Sequence, residues 1–223
     1  MRAPDAPRCN ASPPIAKPRH WIGDRYGYRT SGDLHSGIDI GAQEGTPVLA
    51  VLPGIVRAVY ENGEMNLYGN TVILEHPGAV TTPDPIFTLS AHMQYAPAFE
   101  RGAHVEAGQM IGAVGRTAGE RGDPSGTFRT DAAHLHFEFL DRWPPQGPDR
   151  NRLEPTPVFQ IFGVDTSGDR IAVRPGSPAA CAASEVERRN DQPSRSTSRA
   201  TGGGGSSAIA IALLAWAWSR SRR

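Results

Sequence analysis

Between His20 and Gly163 the sequence is cut into short apolar runs, and no window shows the 3.6-residue periodicity of an amphipathic helix. The runs are Pro47–Val51, Ile55–Tyr60, Asn70–Glu75, Ile86–Met93, Gln109–Val114 and His134–Leu140, rich in Val, Ile, Leu and Phe. Turn formers stand between them: Leu52-Pro53-Gly54, Glu61-Asn62-Gly63 and His76-Pro77-Gly78. This pattern predicts a mainly β fold of antiparallel sheets joined by tight turns. The 25 Gly and 20 Pro among 223 residues, with only 7% aromatics, point the same way.

The flanks read differently. Residues 1–19 are rich in Pro and Ala and lack periodicity, so they are expected to have no fixed structure. Residues 20–163 form the expected domain. Residues 164–207 return to Ser, Arg, Pro and Gly and read as a flexible linker. Residues 208–223 pair a short apolar stretch, Ala208–Trp218, with terminal arginines. That stretch is short of the roughly 20 residues of a membrane span, and its arginines favour the cytoplasmic side. An anchor or sorting tail is the expectation, with membrane association through it; in layout it resembles the tripartite C-terminal sorting signals of some Gram-negative bacteria. The N-terminus shows no apolar h-region of a secretory signal.

Formal net charge is zero, from 23 basic and 23 acidic side chains, so bulk charge gives no support to nucleic-acid binding. Cys9 and Cys181 form no CxxC pair, which argues against a thiolate zinc site. A disulfide between the flanks and two free thiols both remain open.

Three segments carry groups able to do chemistry. In Ala133–Leu140, strand alternation puts Leu135, Phe137 and Phe139 on one face and His134, His136 and Glu138 on the other. In Ile86–Met93, alternation puts Phe87, Leu89, Ala91 and Met93 on one face and Thr88, Ser90 and His92 on the other. His92 would then join the face of His134 and His136. In His35-Ser36-Gly37-Ile38-Asp39-Ile40, His35 and Asp39 share a face, but four strand residues span about 13 Å. Gly37 is expected to allow the bend that brings them together. A hydrolytic zinc site takes three ligands from His, Asp and Glu and leaves one position open. His35, Asp39 and His136 supply such a set.

The segments Tyr26-Gly27-Tyr28-Arg29, His35–Ile40, Gly45-Thr46-Pro47-Val48, Gly54-Ile55-Val56, Tyr68-Gly69-Asn70-Thr71-Val72, Ser90-Ala91-His92-Met93, Gly108–Gly112 and His134–Glu138 occur in that order. In this the chain resembles the lysostaphin/LytM-type zinc metallopeptidases, which cleave peptidoglycan cross-links or glycine-rich peptides. The resemblance implies a duplicated-hybrid-motif fold whose antiparallel sheets form a substrate groove. It implies one Zn2+ on His35, Asp39 and His136, with His134 as general base. It makes His92 a second catalytic histidine that activates water or stabilises the transition state. The partners implied are peptidoglycan stem peptides and cross-bridges, and the location implied is the bacterial cell envelope, periplasmic or extracellular.

The chain departs from the family pattern at Thr81–Pro85 and in the long stretch Arg116–Ala133, both expected beside the groove. Glu138 is open between a hydrogen bond to a ligand imidazole and a plain surface position. His20 and His104 read as solvated, His76 as a turn residue. Tyr26, Tyr28 and Arg29 are candidates to line the cleft. Two rival functions stand beside the endopeptidase: a non-catalytic activator or binder serving cell-wall amidases, and a secreted zinc protease acting on Gly-rich peptides or proteins.

Overall fold

The computed structural model describes residues 10–16, 20–65, 67–78, 85–118, 129–144 and 151–180. Its centre is a nine-stranded sheet in which every pairing is antiparallel. The main strands are β1 (Ile38–Gly41), β2 (Gly54–Tyr60), β3 (Asn70–His76), β4 (Ile86–Met93) and β5 (Arg129–Leu140). Their spatial order is β1-β5-β4-β3-β2, with Trp21–Ile22 at the β1 edge and His104–Val105 beside β2. Two short strands, Gly115–Thr117 and Arg152–Leu153, also pair with β5. The last strand is the longest, and its neighbours set the site.

Both faces of the sheet are covered. One carries the larger apolar cluster, with Leu74, Val72, Met93, Phe137 and Phe139. Phe137, Phe139 and Phe159 meet there in a three-ring contact, centroids 5.0–5.1 Å apart. The opposite face carries a smaller cluster of Ile73, Phe87, Leu89, Ala91 and Leu140. That second face, further along β5, also presents His136.

The strand expectations hold with small boundary changes. β4 coincides with the apolar run, β2 starts one residue earlier, and β3 runs on to His76. β5 begins at Arg129 because Gly115–Thr117 supplies partners for its polar first half. His76 is not a turn residue. It is fully buried at the end of β3, its ring bonded to the Pro53 carbonyl oxygen at 2.9 Å and to Thr88 Oγ1 at 2.8 Å.

Three expectations for the chain outside the strands fail. Residues 11–16 are packed, not structureless. Ile15 bridges Val48, Ser12 N–H donates to the Val51 carbonyl at 2.7 Å, and Leu49 N–H donates to Pro14 at 2.8 Å. Ala11 and Ile15 are fully buried. This segment covers the open edge of Pro47–Leu49, a strand that among the described residues is otherwise paired only with Met110–Ala113. Prolines fit such an edge because it needs few donors, and here they hide the segment's order.

The second failure is α1 (Pro155–Phe162), a helix in a region that showed no helical period. Pro155 and Pro157 lie in its first turn, where backbone N–H groups have no intrahelical partner anyway. Gly163 ends it in the left-handed conformation at φ 84°. Two turns offer too short a window for periodicity, yet Pro155, Phe159 and Phe162 bury one face. Third, the start of the supposed linker is packed. Val164–Asp165 pairs with Ala172–Val173, and Val164 and Ile171 are buried. The stretch 181–207, the tail 208–223 and both cysteines lie outside the described residues, as do 81–84 and 119–128 within the two departures from the family pattern.

Candidate metal centre

β1 and β5 are register partners, with Asp39 directly opposite His136. Paired residues project to the same side of a sheet, so the carboxylate and the imidazole meet by construction. His35 reaches them from the short strand Leu34–His35, which pairs with Gly27–Tyr28. Gly37, between His35 and Asp39, matters through close approach. A Cβ there would run into the Phe137 carbonyl oxygen and lie 2.9 Å from Glu138 Cγ.

Three candidate ligand atoms converge. His35 Nε2 is 3.1 Å from Asp39 Oδ1 and 3.1 Å from His136 Nδ1, and His136 Nδ1 is 2.8 Å from Asp39 Oδ1. Donors on one tetrahedral zinc, bound at about 2.0–2.2 Å, sit about 3.3 Å apart. The triangle is therefore close to the face of a zinc tetrahedron. His35 Nδ1 donates to the Arg25 carbonyl oxygen at 2.8 Å, and His136 Nε2 donates to Glu138 Oε1 at 3.0 Å. These bonds leave His35 Nε2 and His136 Nδ1 as the atoms facing the centre. Two imidazole nitrogens and one carboxylate oxygen fit a zinc ion by type and by spacing.

The electrostatics agree. Burial opposes charge on His136, but hydrogen bonds and negative charge from Asp39 and Glu138 outweigh it and raise its pKa to about 9. Burial also opposes charge on Asp39, yet bonds to the His136 and His35 rings hold its carboxyl far below the usual range. A positive charge is thus favoured at the centre of the triangle.

Two further histidines stand beside it. His134 lies two residues from His136 on the same face, its Nε2 3.7 Å from Asp39 Oδ1. Its Nδ1 donates to the Ala132 carbonyl oxygen at 2.9 Å, so Nε2 keeps a free lone pair. His92 reaches the same spot by a route that simple alternation misses. Ser90 pairs with Phe137 and Ala91 with His136. A regular strand would therefore send His92 to the Phe137 side, with Ser90 and Thr88. Instead the pairing with β3 slips: Val72 opposes Ser90 but Asn70 opposes Met93, so two residues of β4 face one of β3. His92 sits in this β-bulge at φ 58°, a conformation that non-glycine residues seldom adopt. The bulge turns its ring to the site, with centroids 4.7 Å from His134 and 5.8 Å from His136. Its Nδ1 donates to the Thr117 carbonyl oxygen at 2.7 Å. Burial, and then the charges of His136 and His134, lower its pKa to about 3, so His92 is neutral at ordinary pH.

Glu138 is fully buried, which settles its reading. Besides His136 it accepts from Tyr68 Oη at 2.7 Å and from Ser36 Oγ, and Arg152 Nε lies 3.2 Å from its second oxygen. Burial raises the Tyr68 pKa to about 12, helped by the Glu138 charge, which keeps the phenol a donor. Tyr68 and Ser36 fall inside quoted motif segments without a role apparent from sequence. Arg25 and Arg152 carried no signal among the 23 basic residues. The site opens into a cavity of about 380 Å3 walled by Arg29, Leu34, Leu67, Ala118 and Thr130. Tyr28 is strongly exposed, and Arg29 Nε pairs with Asp24 at 2.8 Å. His104 is exposed, as expected.

The model of peptidase family M23 matches residues 33–148, just over half of the chain. The chain belongs to peptidase family M23. As a member it is similar to the DD-carboxypeptidase/endopeptidase Mpg of Neisseria meningitidis, 33% identical over 142 residues, 61% of this chain and 28% of that protein. It is also similar to the lipoprotein NlpD/LppB homolog of Pseudomonas aeruginosa, 30% identical over 149 residues, 64% of this chain and 43% of that protein. The chain thus spans well under half of these relatives. Among solved structures, lysostaphin from Staphylococcus simulans superposes with a TM-score of 0.50 at 22% identity, over 68% of this chain and 53% of that one. That likeness supports the M23 fold, a mainly β architecture of antiparallel sheets.

Proposed function

We propose that this M23 family member is a zinc-dependent endopeptidase that hydrolyses peptide cross-links of bacterial peptidoglycan, acting in the cell envelope. The observation that carries this reading is the triangle of His35 Nε2, Asp39 Oδ1 and His136 Nδ1, with two further histidine rings beside it. A relative named as a DD-carboxypeptidase/endopeptidase, Mpg, supports hydrolysis of a peptide bond.

Zinc held by His35, Asp39 and His136 would supply Lewis acidity towards a carbonyl and towards water. The remaining work falls to side chains. His134 Nε2, with a free lone pair at the mouth of the site, takes the proton of the attacking water. It then returns that proton to the leaving amine. His92 stays neutral with Nδ1 committed to Thr117, so its Nε2 accepts a hydrogen bond and helps orient the water. In this tautomer it cannot donate to an oxyanion until it has gained a proton. Glu138 fixes the His136 ring, and the buried side of the site keeps it from competing orientations.

A panel of purified sacculi, pentaglycine peptide and an unfolded protein separates the readings. Release of peptide ends from sacculi, abolished by a zinc chelator and restored by zinc, supports the proposal. Cleavage of only the protein would favour the secreted protease. Zinc binding without cleavage, joined to stimulation of a separate wall amidase, would favour the activator.

A further inference from the structure

The three candidate ligands lie inside residues 33–148, but the Arg25 carbonyl oxygen that holds the His35 ring, and Arg152 beside the Glu138 that holds the His136 ring, come from outside that span. We propose that Arg25 and Arg152 are positioning residues for His35 and His136, making the C-terminal segment 151–180 part of the metal centre. The proposal rests on the zinc reading above.

On one side, Arg152 sits on Arg152–Leu153, which pairs with Phe139–Leu140 of β5. Its guanidinium faces Glu138 Oε2 at 3.2 Å, with both side chains almost entirely out of solvent. A buried carboxylate without a cation nearby would be strongly disfavoured. Glu138 spends its other oxygen on the His136 Nε2 proton at 3.0 Å. Arg152 thus holds the Glu138 carboxylate in place, and Glu138 keeps the His136 Nδ1 atom turned to the centre.

On the other side, the Arg25 guanidinium donates to three carbonyl oxygens, of Thr166, Ser167 and Gly168, at 2.6, 3.1 and 2.9 Å. These residues form the loop between Val164–Asp165 and Ala172–Val173. The backbone oxygen of the same Arg25 accepts the His35 Nδ1 proton at 2.8 Å. The C-terminal hairpin therefore fixes the peptide that fixes the ring.

The test is zinc affinity of the full chain, measured by competition with a chromophoric chelator, beside the melting temperature of the metal-free protein. Loss of a group that supports a ligand typically lowers metal affinity by about 10–100-fold. Arg152→Ala and Arg25→Ala should each lose about tenfold or more while the metal-free protein stays folded. Arg152→Lys should recover most of the loss, because a cation suffices beside Glu138. Arg25→Lys should not, because an ammonium cannot reproduce the three-carbonyl fork. The cobalt-substituted variants should show altered visible absorption bands, reporting a displaced ring. If Arg152→Ala does not fold, Arg152→Ala in a Glu138→Gln background removes the uncompensated charge. That double variant should bind zinc no more weakly than Glu138→Gln alone. Wild-type affinity and spectra in both alanine variants would overturn the proposal, as would a further loss in the double variant. Absence of zinc binding by the wild type would overturn the zinc reading and this one with it.

Discussion

His136 and His76 are both buried, both bonded through both ring nitrogens, and both held in the same sheet, yet they are opposite in character. His136 meets two carboxylates and a second imidazole, and its pKa rises to about 9. His76 meets a carbonyl and a hydroxyl, and burial lowers its pKa to about 4 against the pull of Pro53 and Glu75. Burial alone therefore does not make a reactive or metal-binding histidine. The acidity and spacing of the partners do, and the same sheet offers a favoured place for positive charge on one face and a forbidden one on the other.

This contrast can be broken by substitution. The largest effect is expected at His136. His136→Ala should remove a ligand and cut turnover by on the order of a thousandfold or more, several kcal/mol of transition-state stabilisation, with zinc lost in metal analysis. His134→Ala should lower kcat by about 100–10,000-fold while zinc remains bound, measured on a peptide substrate. Near-wild-type turnover in that variant would remove His134 as the base. Next comes stability. Phe159→Ala should cost about 3–5 kcal/mol in denaturant unfolding, because α1 holds the three-ring contact under β5. A smaller cost would mean that α1 packs less tightly than these contacts imply.

The smallest effect sharpens the contrast. Folding holds the His76 pKa below its unfolded value, so the unfolded chain binds the extra proton between about pH 6.5 and 4. Stability from this group is present above that window and falls as pH drops through it, by on the order of 3 kcal/mol. A His76→Gln protein should lose this component of the stability-against-pH curve and keep its zinc. If it lost zinc instead, His76 would belong to the same system as His136.

Much of the fold was legible in the sequence because antiparallel strands announce themselves locally. Alternation in Ala133–Leu140 gave the faces of β5 correctly, and turn residues marked the ends of β2 and β3. What stayed hidden depends on non-local pairing. Residues 11–16 read as structureless because their order comes from an edge provided by Pro47–Leu49. The helix α1 was hidden by prolines that look like breakers yet occupy its first turn. His92 was placed on the right face for the wrong reason. Plain alternation put it with Ser90 and Thr88, whereas a bulge moves it away from them and onto the His136 side. A one-residue slip in pairing with β3 leaves no mark on the sequence of β4. Arg25 and Arg152 act through a carbonyl and through Glu138, contacts that no spacing rule reveals.

The most direct test of the account is digestion of purified sacculi by zinc-loaded wild type beside His136→Ala, with mass spectrometry of the released muropeptides. New peptide ends are expected from the wild type alone, at cross-links. Stoichiometric zinc in the wild type with no release from sacculi would contradict it.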